Sequence, residues 1–393
     1  MHKQNIVIVG AGIVGLSTAY ALLKQGIRNV TVLEQVRVDH PRSASHGISR
    51  LLRFEYGPDS FYTRLVQRSL SQWHMMEHIS RRTLYTPTGL LVLGNENDGF
   101  TQTSHHVLRE LELPTMRLSH QQCRQRFPQF VTNDYDMYTY NTEAGILHAS
   151  VCLRTLRDLV LDLGGEICEV SRVKHIDYGN YQRPLRVMLH SGEEYNPDRL
   201  VLAVGPWLHH LLSNLQLPVH MTRQYLLYFA NLPIDSFGVH AFPAFLASEL
   251  YGFPIHSTLT GSGPSWFKAA SHNFGMAVEP EESSPIEDVL ISQVVRKLCN
   301  LLPALRQAQL VHVDACMYDV SPDEDFILDT LPGDSRVVFA TGLSGHGFKF
   351  GLVLGELLSS LVQDIEPSVS VERFKLSRFV KSETHAQQHS SVA

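Results

Sequence analysis

Residues 5–35, NIVIVGAGIVGLSTAYALLKQGIRNVTVLEQ, constrain the fold of this 393-residue chain more than any other stretch. The apolar run over 6–9 has the length and β-branched content of a buried strand. Gly10, Gly12 and Gly15 follow in the order GxGxxG. Ile13, Leu16, Ala19, Tyr20 and Leu23 then recur at helical spacing as far as Gly26, a helix stop. A second apolar run over 30–33 ends on Glu34, roughly 20 positions beyond the last glycine. In such a strand–turn–helix–strand unit one glycine permits the tight turn and the next lets the backbone approach a pyrophosphate. The third lets helix and strand pack closely. The diphosphate is held at the helix N-terminus, and the carboxylate after the second strand accepts hydrogen bonds from ribose hydroxyls. GxGxxG alone is also compatible with a plain glycine-rich turn. With strand, helix, second strand and acid all in place, the pattern predicts a dinucleotide site, and Glu34 disfavours the 2′-phosphate of NADP.

The chain is too long for one ordinary core, so two domains are expected. Hydrophobic content of 44% with 18% charged residues is that of a soluble globular protein. A net charge of −6 supplies no basic field for nucleic acid. The apolar runs break off before the roughly 20 residues that span a bilayer, so no membrane association is expected. The ending HSSVA is neither a peroxisomal address nor a prenylation box. Five scattered cysteines without CxxC spacing predict a reducing, cytoplasmic setting and no metal site.

Arg50 and Arg53 stand three apart in SASHGISRLLRFEYG, residues 43–57. A solvated basic turn is one reading. The apolar company of Leu51, Leu52 and Phe54 is a reason for at least one arginine to turn inward, where a guanidinium needs an anionic partner. Helices are expected over 61–76, within 110–130, and over 151–163 and 285–302; strands over 89–94, 166–178, 185–190, 200–204, 219–229 and 241–248. Pro206, just after a strand, suits the first position of a helix. TLTGSGPSW reads as a turn, and the polar tail from 381 as disordered. A strand over 336–341 runs into GLSGHGFKFG, with Gly342, Gly345, Gly347 and Gly351, and then a helix to about 362. This second strand–glycine loop–helix unit predicts that the C-terminal segment returns to the first domain, its loop lying over a planar ligand.

GAGIVG, SHGISRLLR, AVGPW, ACMYDVSPDEDFILD and GLSGHGFKFG, in that order, resemble the monomeric sarcosine oxidase family of flavoprotein amine oxidases, which includes N-methyltryptophan and pipecolate oxidases. SHGISR, PDEDFILD and FKLSRF lean towards the pipecolate/sarcosine branch. The resemblance covers about residues 5–380. It implies an α/β fold of the glutathione-reductase/D-amino acid oxidase kind: a Rossmann-type FAD-binding domain from 1–85, 150–218 and 318–380, and an α+β substrate domain with an antiparallel sheet from 86–149 and 219–317. It implies FAD rather than NAD, with Gly10, Gly12, Ile13, Val14, Gly15, Glu34 and Gln35 at the ADP half. Ser45, His46, Arg50, Val173, Gly205, Gly342, Gly345, His346, Gly347 and Lys349 would complete the cofactor site. A covalent thioether to Cys316 is implied as well, although an isolated cysteine is ordinarily a small buried hydrophobe.

The same resemblance places Arg53 and Lys349 on the substrate carboxylate, His272, Tyr318 and Tyr251 along the substrate pocket, and Lys268 where oxygen is reduced. The four-residue spacing of Lys268 and His272 puts both on one face of a strand. The implied reaction is hydride transfer from the carbon next to nitrogen of a secondary amino acid to flavin, then reduction of O2 to hydrogen peroxide, by a monomer. A D-amino acid or glycine oxidase is the nearest alternative. A flavin dehydrogenase using an acceptor other than O2 shares the scaffold, whereas a non-catalytic dinucleotide sensor would need neither Cys316 nor Lys349. Two departures bear on substrate and cofactor: the extra residues HSTLTGSGPS (256–265), and Asp319 where the family has threonine.

Overall fold

The run after Gln4 forms the strand Asn5–Val9, buried from Ile6 onward, near the centre of a six-stranded sheet in the computed structural model. The structure describes residues 4–178, 183–256, 265–273, 275, 277–279 and 288–379. The sheet order is Ile327–Leu331, Asp334–Thr341, Arg199–Leu202, Asn5–Val9, Asn29–Leu33 and Glu166–Cys168. All neighbours are parallel except the first pair. Such a sheet needs cover on both faces. Helices Ile13–Lys24, Ala149–Asp162 and Gly351–Val362 supply one face. The other packs on a three-stranded antiparallel sheet, Val173–Asp177, Arg186–Leu189 and Glu194–Tyr195. Gly15 allows the first helix to lie against the loop before it, since a Cβ there would sit 1.8 Å from the Gly10 carbonyl oxygen.

The second large sheet has eight strands: Gln309–Val320, His220–Ala230, Phe267–Ser271, Leu250–Phe253, Ala244–Ala247, Leu90–Gly94, Met137–Asn141 and Met116–Leu118. It is antiparallel apart from the pairing of Ala244–Ala247 with Leu90–Gly94. One face is packed by aromatic residues, among them Phe229, Phe242 and Phe267, and by the helix Asp288–Leu301. Period-two alternation turns Leu226, Tyr251, Phe253, Lys268, Cys316 and Tyr318 to the other face. A small sheet of Arg50–Leu52, Gly145–Leu147 and Tyr85–Thr86 carries Arg50.

Several expected boundaries shift. The span 166–178 divides into two strands that join different sheets, because the chain leaves the main sheet after Cys168. The region 110–130 holds the strand Met116–Leu118 and the short helix His120–Arg126, closed at its start by a Ser119–Gln122 capping box. A helix over Phe100–Glu110 and the long strand Gln309–Val320 lie where no element was expected. Pro206 is the second residue of a single 3-10 turn, Gly205–Trp207, ahead of Leu208–Leu211. The turn at 258–264, most of the extra segment, residues 285–287 and the tail from 381 lie outside the described residues. Among the described residues no helix is long and apolar enough to cross a membrane.

Candidate active site

The first glycine loop ends a cavity of about 380 Å³ that runs along the carboxyl ends of Asn5–Val9, Asn29–Leu33 and Arg199–Leu202. Gly10, Gly12, Ile13, Val14, Glu34, Gln35, Ser45, Val173 and Gly205 line it, as do Gly345 and Gly347 from the second glycine loop. Polar side chains already organise the loop. Ile13 N–H donates to Ser45 Oγ at 3.0 Å, and Ala11 N–H donates to Glu34 Oε2 at 3.0 Å. Burial pushes the Glu34 carboxyl up from its ordinary value, while hydrogen bonds from the Val36 and Ala11 amides pull it back. Gly15 and Gly342 stand behind the lining, where they shape the two loops. His46 is turned away, with Nδ1 2.7 Å from Asp39 Oδ1, although its carbonyl helps to hold Arg50.

A second cavity, about 480 Å³, lies between the glycine loop 342–347 and the open face of the eight-stranded sheet. It shares Arg50, Tyr318, Gly345 and Phe348 with the first, so the two meet at those side chains. Gly345 is required there: its φ is +73°, and a Cβ would stand 2.5 Å from the Tyr318 ring. A dinucleotide would have room along the strand ends, between the helix N-terminus and this junction. The glycine loop at the helix N-terminus, which lets a diphosphate approach the backbone, and the Glu34 carboxylate as a ribose acceptor fit the ADP part of FAD.

Cations dominate the second cavity. Arg50 is satisfied by the carbonyls of Ala44, His46 and Ser49, so its partners are neutral rather than the anion expected for an inward guanidinium. Arg53 Nη1 is buried with no hydrogen-bond partner. Its guanidinium lies over Tyr56, Cζ 4.4 Å from the ring centroid. Lys349, 4% exposed, donates from Nζ to Tyr56 Oη at 2.8 Å and to the His346 carbonyl at 3.0 Å. Its own carbonyl accepts from Trp73 Nε1 at 2.8 Å and from Ser69 Oγ, so the helix Ser60–Ser80 fixes its backbone. Burial, and then the Arg53 charge, hold the Lys349 ammonium well below the usual lysine range. Asp98 and Glu324 also line this cavity, but Asp98 is engaged by Asn95 N–H and Thr101 N–H.

Lys268, 2% exposed, donates to the Ser49 carbonyl at 2.9 Å, with Nζ 4.9 Å from the Phe253 ring centroid. Burial, followed by the charge of Arg50, presses its pKa well below the lysine value. His272 lies just beyond the same strand, exposed at the cavity rim, with Nε2 2.7 Å from the Ser248 carbonyl oxygen. The Tyr318 hydroxyl is paired with that of Tyr251, and burial raises both phenols. Cys316 faces the cavity from Gln309–Val320; burial raises its thiol pKa, while Arg50 and Lys268 pull it down. Asp319 accepts from Gly342 N–H at 2.7 Å and Thr341 Oγ1 at 3.1 Å, so it fastens the second glycine loop.

Two features escaped the sequence reading. Tyr56, which touches both Arg53 and Lys349, belongs to no motif, and nothing local in FEYG marks it. His209, His210 and Glu279 gather three donor atoms at the surface, His209 Nε2 3.4 Å from Glu279 Oε2, in a chain for which no metal group was expected.

Known proteins match this arrangement along nearly its whole length. Human peroxisomal sarcosine oxidase is 34% identical over 385 residues, covering 95% of this chain and 96% of the relative. N-methyl-L-tryptophan oxidase of Escherichia coli is 30% identical over 392 residues, covering 96% and 100%. The crystal structure of L-proline dehydrogenase from P. horikoshii superposes with a TM-score of 0.82 at 18% identity, covering 96% of this chain and 98% of the other, a likeness of fold. The FAD dependent oxidoreductase family profile matches residues 5–361. With its glycine cradle opening onto a cation-lined pocket, this chain belongs to the FAD-dependent oxidoreductase family and is an oxidoreductase.

Proposed function

We propose that the protein is an FAD-dependent oxidase of secondary amino acids: sarcosine, other N-methyl amino acids, or cyclic imino acids of the pipecolate kind. The observation that carries this reading is the pair Arg53 and Lys349. Both are cationic, both face one cavity, and among the described residues neither forms an ion pair with an acid. A planar guanidinium and an ammonium suit the two oxygens of a carboxylate, which would supply the missing negative charge. The substrates named for the two relatives, sarcosine and N-methyl-L-tryptophan, carry a carboxylate and a secondary amine.

Bound FAD supplies the acceptor for hydride from the carbon next to nitrogen, and the route by which the electrons reach O2. The chain does the rest. Arg53 and Lys349 hold the carboxylate and so fix the position of the reacting carbon. Tyr251, Tyr318, Leu246 and Phe253 wall the pocket against water, and His272 stands at its rim. Lys268 places a positive charge where reduction of O2 builds a negative one. The remaining cofactor contacts are assigned to Gly10, Gly12, Ile13, Val14, Gly15, Glu34, Gln35, Ser45, Arg50, Val173, Gly205, Gly342, Gly345, His346 and Gly347, and a thioether to Cys316. His46 acts through its carbonyl on Arg50. The division is assigned as 1–85, 150–218 and 318–380 for the cofactor and 86–149 and 219–317 for the substrate, although the small sheet pairs Arg50–Leu52 with Gly145–Leu147 across it; the enzyme is assigned as monomeric and cytoplasmic.

Acid precipitation of the purified yellow protein tests the covalent bond. Colour should stay with the wild-type pellet and move to the supernatant in Cys316→Ala. Colour in the wild-type supernatant would remove Cys316 from this role.

A further inference from the structure

Arg53 and Lys349 come from segments about 300 residues apart, and one side chain joins them. The Tyr56 ring lies under the Arg53 guanidinium at 4.4 Å, while its hydroxyl oxygen accepts from Lys349 Nζ at 2.8 Å. Tyr56 is itself held on both sides. Its ring stacks on Tyr62, centroids 5.0 Å apart and planes 19° apart, and Tyr62 Oη accepts from Phe326 N–H at 3.4 Å. The Tyr56 hydroxyl lies 3.3 Å from His346 Nδ1, and His346 Nε2 lies 3.1 Å from the Glu324 carbonyl oxygen.

The directions of these bonds follow from the partners. A carbonyl can only accept, so His346 carries its proton on Nε2 and leaves Nδ1 as an acceptor. Tyr56 therefore donates its proton to His346 and offers its lone pairs to Lys349. Burial favours the neutral imidazole and the neutral phenol that this chain of bonds needs. Lys349 has three N–H bonds on a flexible stem. Tyr56 and the His346 carbonyl engage two of them, which leaves one for a ligand in the cavity beside the free Arg53 Nη1. A cation held in place before binding loses less freedom when its partner arrives.

We propose that Tyr56 is the positioning residue of the anion clamp: its face carries Arg53, and its hydroxyl, turned by His346, aims Lys349 at the substrate carboxylate. This rests on the reading of Arg53 and Lys349 as the carboxylate site. The substrate carboxylate meets a preset pair of donors rather than two mobile cations, and Tyr56 itself needs no contact with the reacting carbon.

The test uses the holoenzyme, with acetate as the anionic probe and acetamide as its neutral counterpart, each followed through the visible flavin spectrum. Tyr56→Phe keeps the face and removes the acceptor, so the acetate Kd should rise about tenfold, while acetamide changes by less than about threefold. Tyr56→Leu removes both functions and should weaken acetate by about 100-fold. His346→Leu, which leaves the Tyr56 proton without its acceptor, should resemble Tyr56→Phe. Acetate binding that is unchanged in Tyr56→Phe, or weakened no more than acetamide binding, overturns the role of Tyr56. Wild-type enzyme that binds acetate no better than acetamide overturns the clamp as well.

Discussion

A lysine held in a dry wall beside another cation carries its proton only at a cost, and Lys268 is such a residue. Its Nζ meets a neutral carbonyl, and Arg50 adds repulsion. That cost turns to advantage when a neighbour becomes negative, as O2 does on accepting electrons. Lys268→Met should therefore slow flavin reoxidation by about 100-fold while leaving flavin reduction by substrate little changed, as stopped-flow measurement of the two half-reactions would show. The sign with pH follows from the depressed pKa. The wild-type oxygen reaction should fall as pH rises through a value well below the usual lysine range, and the variant should lack that fall. In apoprotein the unfolded chain binds more protons than the fold between those two values, so stability should rise with pH across that window and do so less in Lys268→Met. Equal loss in both half-reactions would remove Lys268 from the oxygen step.

The elements that place these side chains differ in how far sequence reveals them. In the loop 342–347, Gly345 combines a φ of +73° with contact against Tyr318, so Gly345→Ala must shift either the loop or the ring. The variant should fold with a lower thermal midpoint and retain less FAD, read from the ratio of flavin to protein absorbance; full flavin content would contradict this. That loop and the first one were legible because their signals are local: an apolar run, glycines at fixed offsets, then a helix period. The strand Gln309–Val320 was not. Its sequence QLVHVDACMYDV mixes histidine and aspartates with apolar residues, since one face borders a cavity, and its partner His220–Ala230 lies far away in sequence. The helix Phe100–Glu110 was missed for a similar reason: it buries only Thr101, Ser104, Val107 and Leu108, too thin a stripe to stand out. Arg53 and Lys349 stand in motifs and the structure brings both to one cavity, whereas Tyr56 meets Lys349 and His346, nearly 300 positions downstream, and shows no local signal.

At the scale of the molecule, the parallel sheet brings its strand ends to one cavity and the antiparallel sheet forms the wall of the next. The junction is built from distant pieces of chain: Arg50 from the small sheet, Tyr318 from the long strand, Gly345 and Phe348 from the second glycine loop. On the reading proposed above, cofactor and substrate would meet at this junction. In the proposed function a secondary amino acid is oxidised at that junction. The most direct measurement mixes the holoenzyme, without oxygen, with sarcosine, N-methyl-L-tryptophan or pipecolate in turn, follows the visible flavin absorbance, and then admits O2. At least one of these should bleach the flavin while glycine and D-alanine do not, and O2 should restore the colour as hydrogen peroxide appears. Bleaching by the primary amino acids alone, by none of the compounds, or without recovery in O2 would contradict the proposed function.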